Sequence, residues 1–136
     1  MAAISVTATE VLPGTDTLYS DGIAGATITA GQTVYLDSAT STYKLADADA
    51  SATTAACKGI AMHGAGTGQP IRIAVGGHID PGFTVVVGQI YILSDTAGGI
   101  ALHTDLTSTF YSVVIGLGIT ASSLKIINQA SGVAVP

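Results

Sequence analysis

Charge is what this sequence has least of. Asp, Glu, Lys and Arg make up 10% of its 136 residues, against roughly a quarter in an ordinary soluble domain. Only Lys44, Lys58, Arg72 and Lys125 oppose nine acids, for a net charge of −5. That balance excludes the basic footprint of a nucleic-acid binder. Tryptophan is absent, with two Phe and five Tyr present, so aromatic platforms are scarce. Cys57 is the single cysteine, which excludes an internal disulfide and reads as a small, semi-buried hydrophobe. Every apolar run stops well short of the about 18 residues a membrane helix needs, so no membrane partner is expected. Met1 to Val11 offers neither a basic n-region nor an apolar core, and no signal peptide is expected. Hydrophobic residues nevertheless reach 48%, which excludes disorder. One compact domain is expected, with much of its surface covered by a partner.

What the chain does have is a repeat. Gly31-Gln32-Thr33-Val34-Tyr35-Leu36 aligns with Gly88-Gln89-Ile90-Tyr91-Ile92-Leu93, 57 positions on, and Gly59 aligns with Gly116 at the same displacement. Ile71-Arg72-Ile73 matches Leu124-Lys125-Ile126 once the intervening loop is shortened by four residues. Three correspondences in order near one displacement indicate a duplicated domain. The units are expected over about residues 25–79 and 80–130 of a body spanning 25–136, with 1–24 as an N-terminal arm.

Within each unit the short β-branched and aromatic runs are bounded by Gly, Pro, Asp or Ser, as strands are. Tyr43 and Leu45 fall on one face by alternation, with Ile100 and Leu102 as their counterparts. Gly116 and Gly118 interrupt the run from Phe110 to Thr120, predicting a bend or a close backbone crossing. Turn residues recur too often for βαβ units, so the fold class is all-β: a small antiparallel barrel or sandwich. Asp49 to Ala56 predicts one or two helical turns, capped by Asp49 or Ser51. In the arm, Ile4, Val6, Ala8 and Val11 form an apolar edge. Such an arm either completes its own sheet or pairs with a neighbour's, making these four residues candidates for an interface.

Chemistry is harder to find. Gly64-Ala65-Gly66-Thr67-Gly68 lacks the helix that a phosphate loop needs behind its glycines, and reads as a hairpin loop. Asp47-Ala48-Asp49-Ala50-Ser51 starts like a calcium loop without its sixth-position Gly or closing Glu. His63, His78 and His103 are scattered, with no metal-binding spacing. Serines occur without a nucleophile elbow, and Glu10, the one glutamate, has no evident carboxylate partner for acid–base work. No catalytic, cofactor or metal residue is assigned. Arg72, the one arginine, lies on a predicted strand and is a candidate ion-pair anchor.

The Gly-Gln strands carry a resemblance. Gly31 to Asp37, Tyr43 to Asp49, Lys58 to Ala61, Gly68 to Ala74, Ile79 to Gly82 and Gly88 to Gly99 are similar to the decoration, or cement, proteins of tailed-bacteriophage capsids. The match covers about residues 25–120, and its motifs specify strands and turns. The resemblance implies a β body without an active site, often trimeric. It implies a place on the outer capsid surface of a virion, after synthesis in the host cytoplasm. Expected partners are the major capsid protein, whose subunits it would bridge, and further copies of itself. Related modules occur in head fibres, so the alternative is a head-fibre or tail-associated module recognising a host surface glycan.

Overall fold

The computed structural model describes residues 3–106 and 110–134. They form β1 (Val11–Pro13), β2 (Leu18–Ile23), β3 (Thr33–Asp37), β4 (Thr42–Leu45) and β5 (Cys57–Ala61). Then follow β6 (Pro70–Pro81), β7 (Ile90–Leu93), β8 (Ile100–Leu102), β9 (Tyr111–Thr120) and β10 (Ser123–Ala134), with short 3₁₀ turns at Ala8–Glu10 and His103–Asp105. The fold is all-β. Antiparallel strands run in the order β4-β3-β5-β6-β10-β9-β7-β8, with β1 and β2 also paired to β6. The first half curls round until Ala24 bridges Tyr43 and the Gly25 N–H donates to the Tyr43 carbonyl at 2.7 Å.

That order reads as one unit followed by its mirror sequence, and the registers agree with the repeat. Val34 faces Leu45 and Leu36 faces Tyr43, while Tyr91 faces Leu102 and Leu93 faces Ile100. Thr33 faces Ile60 and Tyr35 faces Cys57, while Ile90 faces Leu117 and Ile92 faces Val114. Even the bulge recurs, between Val34 and Tyr35 in one ladder and Tyr91 and Ile92 in the other. Gly31 and Gly88 both open a strand at positive φ, +88° and +80°, which a side chain would resist. At Gly116 an added Cβ would strike the Lys125 carbonyl oxygen, and at Gly118 that of Val86. These are the close crossings expected of glycines inside a strand.

The repeat also reaches further upstream than the sequence suggests. β2 pairs with β6 through Gly22–Ile71 and Asp21–Arg72, and the second half of β6 pairs with β10 through Ile79–Leu124 and His78–Lys125. Ile79 and His78 lie 57 positions after Gly22 and Asp21. The first unit therefore begins near Leu18, and the second near Val75 rather than residue 80. Leu18–Ile23 shares no residue with positions 75–80 in this alignment, so only the register reveals the kinship.

One pair of core positions shows how the two halves diverge. The first core gathers Ile28, Val34, Tyr43, Ile71 and Ile73. Their counterparts Val85, Tyr91, Ile100, Leu124 and Ile126 lie in the second. Each core has one buried tyrosine, Tyr43 or Tyr91, but on different strands. Tyr43 covers Gly22 so closely that a Cβ there would meet its ring; the counterparts Ile79 and Ile100 are both branched side chains buried in the second core. Tyr91 is 1% exposed and its hydroxyl accepts the Val86 N–H at 2.9 Å, so its polar tip is satisfied inside the core.

No helix forms at Asp49 to Ala56. Local side-chain bonds win: the Thr54 hydroxyl accepts the Ser51 N–H at 3.1 Å, and the Ser51 hydroxyl accepts the Thr54 N–H at 3.2 Å. One turn closes with Ala55 N–H on the Ser51 carbonyl, and the hydroxyl competition favours turns over continued helix. Gly64 to Gly68 lies in the loop joining the antiparallel neighbours β5 and β6.

Candidate interaction surface

The arm does not project as a free strand. Residues 1–2 lie outside the described part, but the Ile4 N–H donates to the Ile100 carbonyl and the Thr7 N–H to the Gly82 carbonyl, both at 2.8 Å. Val11 is buried, and Ile4 packs against the second core. Val6 is half-buried and Ala8 exposed. β1 and β2 then line β6. Ile4 thus meets Ile100 much as Gly25 meets its counterpart Tyr43. The arm pairs with the chain's own sheet through β1 and β2, burying Val11 and leaving Ile4 half-buried.

Arg72 is placed on β6 beside Asp21 of β2. Its Nε donates to Asp21 Oδ1 at 2.7 Å and its Nη2 to Oδ2 at 3.1 Å, a two-point pairing. The guanidinium carbon stands 5.2 Å from the Tyr19 ring centroid. Arg72 and Asp21 remain 53% and 64% exposed, so water screens the pair. The Arg72 side chain beside it holds the Asp21 carboxyl below its usual pKa. The arrangement holds Arg72 over Tyr19 on an outward face, a pairing of residue types enriched at interface hot spots.

Large apolar side chains are also exposed. Leu12, Leu18, Tyr19 and Ile23 follow β1 and β2. Val86, Val87, Ile90 and Ile119 gather where the loop before β7 meets the end of β9. There, Gly88 N–H to Gly118 carbonyl and Gly118 N–H to Gln89 carbonyl bonds hold loop and strand together. Ile127 and Val133 stand out from β10. Single exposed apolar residues are ordinary, but grouped ones mark contact surfaces. Sequence reasoning named neither group, because strand alternation places a residue on a face without saying which faces stay uncovered.

The remaining titratable groups are dispersed. Among the described residues no three His, Cys, Asp or Glu side chains stand together as metal ligands would. His78 Nδ1 lies 2.7 Å from Asp16 Oδ2, and this hydrogen bond chiefly lowers the Asp16 pKa. His63 Nε2 accepts the Arg72 N–H at 3.1 Å, bracing the strand that carries Arg72. Asp47, at the start of the calcium-like stretch, accepts the Asp49 N–H in a turn. Partial burial first, and the Asp49 carboxyl second, push its pKa up to about 6. Cys57 is buried in the second core, and burial raises its thiol to about 12. One juxtaposition was not foreseen: Glu10 and Asp80 line the same surface groove.

Compared with models of known protein families and with curated proteins, the chain matches none.

Proposed function

We propose that this chain is a non-enzymatic structural protein of a bacteriophage virion. In this reading it binds the outer capsid surface as a homotrimer and stabilises the shell by bridging major capsid subunits. The observation that carries the proposal is the set of large apolar side chains left exposed, Tyr19 and Ile23 beside Arg72 among them, on a body with very few charges to keep it apart from other proteins. The likeness of its Gly-Gln strand motifs to capsid decoration proteins supplies the kind of partner. Reinforcement needs no chemistry. Several interfaces of about 1,600 Å² each, formed at once, would link subunits with an avidity far above any single contact.

The test uses shells assembled without this chain. Purified protein added back should co-sediment with them and raise the temperature at which they rupture. Shells that gain neither bound protein nor heat resistance would overturn the proposal.

A further inference from the structure

We infer that the groove between the N-terminal arm and the end of β6 binds a neutral carbohydrate, one or two sugar units at a time. The groove encloses about 410 Å³, within the range of small-molecule sites. Ser5, Thr7 and Glu10 form its arm side, and Asp80, Phe83 and Ser122 are among the residues of its body side. Two carboxylates and several hydroxyls, with no Lys, Arg or His in the lining, repel anions such as phosphate. The same groups accept hydrogen bonds from sugar hydroxyls, and a charged acceptor makes those bonds strong. A bound calcium ion would require six to eight oxygens, typically from several carboxylates, and the groove offers two carboxylates.

The walls are held in place before any ligand arrives, which lowers the cost of binding. The Thr7 N–H donates to the Gly82 carbonyl at 2.8 Å, and the Val85 N–H to the Ala121 carbonyl at 2.9 Å. Asp80 Oδ1 accepts the Gly82 N–H at 3.1 Å, which orients the carboxyl. The Phe83 ring rests against Tyr91, centroids 5.3 Å apart, and packs on the second core, which fixes the body side of the groove.

A second observation is the broken symmetry of the repeat. The first-unit counterparts of Asp80 and Phe83, 57 positions earlier, are Ile23 and Ala26. The carboxylate and the ring therefore occur in one unit alone, and there the arm adds the facing hydroxyls and Glu10. This inference is independent of shell attachment.

The test is an amide-shift titration of the full chain with maltopentaose, cellopentaose, chitopentaose and mannopentaose, each to about 10 mM, and separately with calcium chloride. At least one saccharide should shift the amides of Thr7, Gly82 and Thr84. Glu10→Gln and Asp80→Asn should each weaken that binding by about tenfold or more while leaving the melting temperature unchanged. No shift with any of the four, shifts confined elsewhere, binding of calcium alone, or undiminished binding by Glu10→Gln and Asp80→Asn would overturn the inference.

Discussion

Exchanging one pair of residues tests the kinship of the two halves. In the first unit Tyr43 covers Gly22, where a Cβ would overlap the ring; in the second the counterparts are Ile100 and Ile79, both about 1% exposed. Gly22→Ile alone drives four carbons into the Tyr43 ring, an overpacking cost of about 1–3 kcal/mol. Tyr43→Ile alone empties part of the first core over a glycine and strands the Ser20 hydroxyl, which lies 3.3 Å from the Tyr43 hydroxyl. That loss is about 2–4 kcal/mol. Together the two substitutions transplant the second unit's solution into the first, so the double variant should recover about 1–3 kcal/mol of the summed losses. At about 3–5 °C per kcal/mol for a chain of this size, the recovery is visible in thermal melts followed by circular dichroism and repeated in urea. Strict additivity, or a double variant worse than the sum, would refute the equivalence of β2 with the second half of β6.

Three further outcomes are expected. Asp47 has a folded-state pKa of about 6, above its ordinary 3.8. The stability it contributes is full below pH 3.8 and lost as pH rises through about 6, the sign for a raised carboxyl. Asp47→Asn should therefore raise the melting temperature at pH 8 and leave it unchanged at pH 3.5; a uniform effect at both would contradict this. Cys57, buried with its thiol near 12, should resist a disulfide reagent at mildly alkaline pH in the folded protein and react fully in urea, and rapid native labelling would show the core to be open there. Arg72→Ala removes an exposed pair, so the melting temperature should stay within about 2 °C. Attachment to shells should fall about tenfold or more, and unaltered attachment would remove Arg72 from the contact surface.

The strands and their doubling were legible because Gly-Gln turns and alternating runs act locally. Gly31 and Gly88 are needed at positive φ whatever packs above them, so both survive as visible landmarks. β2 was not legible as part of the repeat. Its match to residues 75–80 lies in which strand it pairs with, and Ile100 with Ile79 stands where the first unit has Tyr43 over Gly22, which changes every letter. The arm's apolar alternation showed that something would cover it, yet alternation is silent on whether that is the same chain. Arg72 could be named from its isolation on a strand, whereas Asp21 and Tyr19, 51 and 53 positions earlier, become its partners only through the β2–β6 register. Glu10 and Asp80 meet for a similar reason: the arm is folded back onto the end of β6.

The most direct measurement of the proposed role is electron cryomicroscopy of the particle that carries this chain, at a resolution that traces strands. The account predicts density for the ten-strand body on the outer shell surface, in copies related by three-fold symmetry. Arg72, Tyr19 or the Val86–Ile119 group should face neighbouring subunits. A particle without this density, or with the chain inside the shell, would contradict it.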